Sequence, residues 1–245
     1  MGFPEQAAST MDFAKAELDE TSDLLSRLHV HLYSAIIGWY GRDTGAVRED
    51  VVILGQSALQ MGENARLALE GLLGGWCLLE DGSSTQALRV LEGAIEGLDA
   101  SHWTVWRPFI DATLADALTR AGRAGETMLI LDQALEAIDR TGERAQEAEV
   151  DRIRGEALLA PTSSEPHRGE AAFRRAMDIA HGQEARLFEL RATTSLAGLL
   201  RSQGRTEESH SILRGVYDWF TEGFDTVDLR EAAALLGELE EGHAS

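Results

Sequence analysis

The chain repeats itself at intervals of about 40 residues, and this repeat limits its possible folds more than any other feature. Four series of residues share one register. The series consist of small residues in a first segment, large apolar residues in a second, mostly small residues three positions later, and turn glycines: Gly38, Gly75, Ala115, Gly155, Ala197; Leu54, Leu91, Leu131, Phe173, Leu213; Ser57, Ala94, Ala134, Ala176, Val216; Gly45, Gly82, Gly122, Gly204. A shared register predicts an array in which each unit packs on its neighbours.

Each unit contains two stretches with the periodicity of an α-helix. In residues 84–98, the apolar side chains recur at steps of three or four and therefore share one helical face. Residues 111–120 behave in the same way, and Gly122 is placed to end that helix. The chain has only four prolines and is 6% aromatic, a composition that favours helix over strand.

The paired helices resemble the tetratricopeptide repeat (TPR), in which two antiparallel helices form each unit. The match is carried by two sets of residues: Leu114, Ala115, Leu118, Gly122, Thr127, Leu131, Ala134; and Leu196, Ala197, Leu200, Gly204, Ser209, Leu213, Val216. The resemblance implies an all-α fold, a right-handed α-solenoid of TPR-like helix pairs with units of about 40 residues. A C-terminal capping helix would cover the last apolar face.

The predicted organisation is a single solenoid over residues 1–245. Its parts are a leading half unit, five helix pairs and a cap: 2–20; near 23–61, 65–99, 102–140, 145–182 and 185–222; and 226–240. Gly2, Met11 and Ala14 match only the second half of a unit, so the chain is expected to be a piece of a longer array. The apolar face of that half unit either packs back on residues 23–41 or recruits a second copy of the chain, giving a homo-oligomer.

A narrower resemblance covers residues 140–240. The segments that carry it are 140–159, 171–180, 188–197 and 216–232, which are similar to the C-terminal TPR region of large bacterial signalling proteins. In that family a nucleotide cyclase or a winged-helix DNA-binding domain precedes a signalling ATPase and then the helical array. Because this sequence contains none of those upstream domains, the resemblance implies a sensing and interaction arm in signal transduction or transcriptional regulation, not a catalytic unit.

Composition excludes several classes of function. The formal net charge of −20, from 42 acidic and 22 basic residues, would repel nucleic acid. Lys15 is the only lysine and follows no glycine loop, so a P-loop is excluded. No apolar run approaches the ~20 residues of a membrane span. The first residues lack the pattern of a secretory signal, and Cys77 stands alone in an apolar run, so a cytoplasmic location without membrane contact is expected.

No motif for catalysis or metal binding stands out. The seven histidines are scattered, and His29 and His31, two residues apart, point to different sides of a helix. No Gly-x-Ser-x-Gly, His-Glu-x-x-His or kinase-type loop occurs. The sequence therefore predicts a protein that is not an enzyme and has no catalytic, cofactor or metal site.

The concave face offers the best candidate for a binding groove. In such arrays the first helix of each pair lines that face, and helical phase selects these residues: Leu32, Trp39, Leu69, Trp76, Phe109, Arg152, Arg191 and Arg201. The groove would be aromatic at one end and charged at the other, which suits a peptide or a partner's helix. Burial between helices is the alternative for the tryptophans, and pairing with nearby glutamates is the alternative for the arginines.

Two functional hypotheses follow. The first is a non-catalytic interaction or regulatory domain whose partner is a protein or peptide, including the ATPase, cyclase or DNA-binding domains of a related polypeptide. The second is a self-standing receptor that takes a peptide or small-molecule effector in its groove. A closed, dry concave face would favour the first, and an open pocket around Trp39, Trp76 and Phe109 would favour the second.

Overall fold

All regular secondary structure is helical in the computed structural model, which describes residues 2–18, 23–161 and 164–243. Within those ranges there are twelve α-helices: α1 (Pro4–Ala16), α2 (Leu24–Tyr40), α3 (Thr44–Met61), α4 (Asn64–Glu80), α5 (Ser84–Ala100), α6 (Arg107–Arg120), α7 (Ala124–Thr141), α8 (Glu147–Leu159), α9 (Pro166–Gly182), α10 (Arg186–Ser202), α11 (Thr206–Tyr217) and α12 (Val227–His243). One short 3₁₀ helix, Arg144–Gln146, precedes α8.

Consecutive helices from α2 to α11 form five antiparallel pairs, and α12 packs on α10 and α11 as a cap. In four of the five pairs, a turn of three residues joins the two helices. So short a turn allows only an antiparallel arrangement of these helices. The first helices of successive pairs also contact one another, α4 with α6, α6 with α8 and α8 with α10. This stacking confirms the predicted all-α solenoid.

The repeated small residues allow the two helices of a pair to approach closely. A Cβ atom at Gly75 would lie 2.8 Å from Leu91 Cδ2, and one at Gly155 would lie 2.5 Å from Phe173 Cδ1. These distances are shorter than carbon atoms tolerate, so the large residue of the second helix occupies the space that the small residue leaves. At Gly38 the neighbour is Val47, whose Cγ2 would lie 2.8 Å from an added Cβ.

The turn glycines end helices in the left-handed conformation, with φ values of +80° at Gly82 and +75° at Gly122. The turn after α2 departs from this pattern, because Gly45 lies inside α3 and the left-handed residue is Arg42, with φ of +55°. Asp43 caps α3 by accepting a hydrogen bond from the Ala46 amide at 3.0 Å. A left-handed arginine is strained by about 1 kcal/mol, so its side chain is expected to have a role that offsets the strain.

The first and last pairs of the array meet. Arg191 of α10 donates a hydrogen bond to the carbonyl oxygen of Tyr40 at the end of α2, and the ring of Tyr40 lies 5.7 Å from that of Phe188. Gln146 donates to the Tyr40 hydroxyl at 3.1 Å. The solenoid therefore closes on itself, with α2 beside α10.

Helix α1 spans this junction. Near its C-terminal end, Lys15 Nζ lies 2.8 Å from Asp50 Oδ1 of α3. Near its N-terminal end, Glu5 accepts a hydrogen bond from the Gly223 amide at 2.8 Å, and Phe3 packs on Trp219 with ring centroids 5.4 Å apart. The leading half unit thus packs within the chain, against α2, α3 and the segment before α12.

Candidate functional site

A polar cavity of about 280 Å³ lies at the centre of the closed array, and we call it the central cavity. Its walls come from the first helices of the pairs and from α12. Four arginines, six carboxylates, two tryptophans and five smaller residues line it: Arg42, Arg120, Arg152, Arg191; Glu80, Asp116, Glu149, Glu156, Asp228, Glu231; Trp39, Trp76; Ala112, Thr113, Ile153, Thr194, Ser195. The concave face therefore contains a cavity that is lined mainly by charged side chains.

The structure brings together four of the eight residues that helical phase selected. Trp39, Trp76, Arg152 and Arg191 line the central cavity. The other four, Leu32, Leu69, Phe109 and Arg201, do not line it.

Leu32 and Leu69 are buried in the apolar core, and Phe109 stands behind Trp39 with ring centroids 4.7 Å apart. Arg201 is 43% exposed and pairs with Glu238 of α12, away from the cavity. Helical phase alone placed these residues on the concave side, whereas close packing between neighbouring pairs buries the apolar ones.

The two tryptophans form an aromatic wall. Each is only 5% exposed, as expected from burial between helices, and the two ring centroids are 6.3 Å apart. The indole Nε1 of Trp39 is buried and has no hydrogen-bond partner among the described residues. The wall is thus closely packed, and the Trp39 Nε1 donor is buried within it.

A row of three charged residues, spaced at about the length of one repeat, crosses the cavity. Arg42, Glu80 and Arg120 follow one another at intervals of 38 and 40 residues, at the ends of α2, α4 and α6. The Glu80 carboxylate accepts from Arg42 Nε at 3.0 Å and from Arg120 Nη2 at 2.8 Å. Helical phase did not select these residues, although the opposite charges of Glu80 and Arg120 at equivalent repeat positions were a visible signal.

Arg152 lies at the centre of a second charged group, on α8. It makes two hydrogen bonds to the Glu149 carboxylate, at 2.6 and 3.0 Å, and a third to Glu156. Burial would raise the pKa of Glu149, but Arg152, with help from Arg191 and Arg42, more than offsets burial and lowers it. Arg152 thus pairs with glutamates of its own helix, which was the alternative interpretation of the sequence. The pair also lines the cavity.

Glu156 is less well compensated than Glu149. Burial raises its pKa, Arg152 lowers it, and the nearby charges of Asp116 and Glu149 raise it further, so that the pKa lies above its usual value. The side chain still has 34% of its surface exposed, and it lines the central cavity. Glu156 is therefore the carboxylate of α8 that a bound group would reach.

A third charged group is centred on Asp228 of α12, which is almost fully buried. Its Oδ1 lies 3.2 Å from Arg42 Nη1, and its Oδ2 lies 2.8 Å from Arg191 Nη2. Arg42 also pairs with Glu231 at 2.8 Å. Asp228 thus connects the cap, the first pair and the last pair, and the strained Arg42 gains three carboxylate partners.

Other features with chemical potential lie outside the cavity. Burial raises the pKa of the Cys77 thiol to about 11, so the thiol is protonated at neutral pH. In the ranges that the structure covers, no group of three or more His, Cys, Asp or Glu side chains is arranged to hold a metal ion. None of the described helices is both long and apolar enough to cross a membrane.

Comparison with known proteins identifies the fold only. No family model matches the sequence, and no curated protein matches it either. The chain is similar to a solved structure, the apo form of RapI, with a TM-score of 0.59 over 97% of this chain and 92% of that chain, at 12% sequence identity. At this identity the similarity supports a TPR-like helical-repeat fold and says nothing of shared chemistry.

Proposed function

We propose that this chain is a non-catalytic regulatory domain that binds a protein or peptide partner, acting as a single solenoid. The observation that carries the proposal is the central cavity, where charged and aromatic side chains from the first pair, the last pair and the cap converge. We assign the contact with the partner to Trp39 and Trp76 and to the charged wall that Arg152 and Arg191 hold in place. The resemblance of residues 140–240 to bacterial signalling proteins supports a role as the sensing arm beside an ATPase, a cyclase or a DNA-binding domain.

The charged groups of the cavity favour recognition over proton transfer. Arginine forms planar, directional hydrogen bonds, and Arg152 holds Glu149 with two of them, so the charges are fixed in position before a partner arrives. Rigid aromatic surfaces beside buried arginines are typical of the residues that supply most of the binding energy at interfaces.

The position of the cavity supports regulation. A partner bound there contacts Arg42 of the first pair and Asp228 of the cap, the groups that hold the array closed. A ligand that prefers the closed array shifts the population towards it, and this shift is the signal that neighbouring domains would read.

A self-standing receptor for a small-molecule effector is the second candidate. The volume of about 280 Å³ favours it, because that space suits a small molecule or a single side chain better than a helix.

Selection from a random peptide library tests the proposal. We expect peptides selected on the protein to lose at least tenfold in affinity when Ser195→Trp fills the cavity. The peptide side chain that enters the cavity and the new indole at position 195 would compete for the same space. The matched control is Ser202→Trp, on the same helix but exposed, which should bind as the unmodified protein does.

Three outcomes separate the candidates. Loss of binding only in Ser195→Trp supports the partner-binding domain. Peptides that bind both variants equally, or no selected peptide, contradict it. Saturable binding of a compound from a metabolite panel, abolished by Ser195→Trp in the absence of any peptide binder, establishes the small-molecule receptor instead.

A further inference from the structure

We propose that the central cavity recognises a cation, a guanidinium or ammonium group carried by the ligand, and this inference rests on the proposed function. The balance of charge in the cavity favours a cation. Six carboxylates and four guanidinium groups line the cavity, which leaves an excess of two negative charges around a volume of about 280 Å³. A cation in that space neutralises part of the excess, whereas an anion adds to it.

The arginines of the cavity are already engaged by carboxylates of the protein. Arg42 contacts three carboxylates, and Arg152 contacts two. Arg120 pairs with Glu80 and Asp116. An anionic ligand would have to displace a carboxylate from one of these pairs, and the displaced charge would be left buried without a partner, which is strongly unfavourable.

Arg191 is engaged in the same way, by Asp228 and by the carbonyl oxygen of Tyr40. All four guanidinium groups therefore act as parts of the wall. They hold the carboxylates in place and do not stand ready as ligand donors.

The cavity wall also offers carboxylate oxygens that a ligand can reach. Oε1 of Glu156 accepts hydrogen bonds from Arg152 and, at 3.2 Å, from the Ser195 hydroxyl. No described residue donates to Oε2 of Glu156. Glu231, 53% exposed at the edge of the cavity, pairs with Arg42 through Oε2. Two carboxylates can thus accept hydrogen bonds from an incoming N–H group.

The tryptophans complete the site. The face of an indole ring attracts a cation within about 6 Å, and a planar guanidinium also stacks on it. Trp39 and Trp76 both line the cavity, 6.3 Å apart between ring centroids. The chemistry of the ligand is therefore a cation on a narrow stem, either an arginine or lysine side chain of a peptide or a free organic cation.

The test measures binding of matched probes by titration calorimetry on the full chain. The probes are the blocked tripeptide acetyl-Gly-Arg-Gly-amide, its citrulline analogue, which has the same shape without the charge, its aspartate analogue, and agmatine as a free cation. We expect the arginine tripeptide or agmatine to bind at least tenfold more tightly than the citrulline tripeptide. Binding by the tripeptide indicates a peptide source, and binding by agmatine alone indicates a free cation.

Variants locate the binding. Glu156→Gln should weaken binding of the cationic probe at least tenfold, whereas Glu238→Gln, whose side chain pairs with Arg201 away from the cavity, should leave it unchanged. Glu231→Gln provides a second test that does not disturb the fold, because that side chain is more than half exposed. It should weaken binding in the same direction.

Several results would overturn the inference. They are equal binding of the arginine and citrulline probes, tighter binding of the aspartate probe, unchanged binding in both cavity variants, and no binding of any probe. Experiments can distinguish failure of the cation inference from failure of the proposed function. Library peptides that depend on the cavity but are not enriched in arginine or lysine contradict the cation and support the partner-binding domain. Agmatine binding that depends on Glu156, in the absence of any cavity-dependent peptide, contradicts the partner-binding domain and supports the cation.

Discussion

At the scale of single residues, the structure explains why particular positions cannot be larger or uncharged. Gly155 is small because Phe173 fills the space beside it, and Arg42, in a left-handed turn, has three carboxylate partners that offset its backbone strain. The first of these was predictable from the register of the repeat. The second was not, because its partners lie far away in the sequence, Asp228 by 186 residues.

Gly155→Leu should lower the free energy of unfolding by about 1 to 3 kcal/mol through overpacking against Phe173, and Gly155→Ala should act in the same direction. The control is Gly198→Ala on α10, where no atom lies within 4 Å of an added Cβ. That variant should gain up to about 1 kcal/mol from helix propensity. Urea unfolding followed by tryptophan fluorescence measures both, and unchanged midpoints for the Gly155 variants would contradict the packing argument.

Asp111 makes the stability depend on pH. Burial raises its pKa from 3.8 to about 6, and Arg107, 2.8 Å away, offsets this only in part. Because the folded state then binds the proton more tightly than the unfolded state, the contribution of Asp111 to stability falls as pH rises from about 4 to about 6. Asp111→Asn should therefore gain about 2 kcal/mol relative to the unmodified protein between pH 4 and pH 7. A difference in unfolding free energy that stays constant over this range would refute the assignment.

At the scale of helices, the sequence predicts most of the architecture. Apolar residues at steps of three or four define the helices, and the repeated small residues define which of them pair, because both signals depend on local packing. The concave residues were harder to predict. Phase gives the side of a helix on which Leu32, Phe109 or Arg201 lies, but not whether a neighbouring helix covers that side.

The sequence left open how α1 is attached to the rest of the chain. The ion pair at the end of α1 allows a test of this attachment. The only lysine of the chain, Lys15, pairs with Asp50, which also lies 2.8 Å from His31 Nδ1. Asp50→Asn should release this end of α1 and increase the rate at which an amine reagent acylates Lys15 several-fold, since local opening exposes the amine. Peptide mass spectrometry locates the label.

Asp12→Asn, an exposed change on the same helix, is the control for this experiment and should leave the acylation rate unchanged. Circular dichroism on both variants establishes that the rest of the array is folded. Equal acylation rates in the unmodified protein and in Asp50→Asn would show that the ion pair does not hold α1.

At the scale of the whole molecule, the central feature is closure. Helices α2 and α10 meet, α1 spans the junction, and Asp228 joins both ends to the cap. Local sequence patterns could not predict this, because closure depends on the summed rotation of five pairs and small differences in each of them accumulate. The charged group around Asp228 comes together only as a consequence of closure, so the complete wall of the proposed binding site depends on the closed shape.

A double-mutant cycle between Arg42 and Asp228 tests this closure most directly. The free energy of unfolding is measured for Arg42→Met, Asp228→Asn and the double variant, with Arg42→Met and Asp132→Asn as a control pair, because Asp132 contacts Arg154 on α8 and not Arg42. We expect a coupling energy of about 1 to 3 kcal/mol for the first pair and additivity for the control. Additivity of Arg42→Met and Asp228→Asn within about 0.5 kcal/mol would mean that the ends do not meet, and it would contradict the closed array.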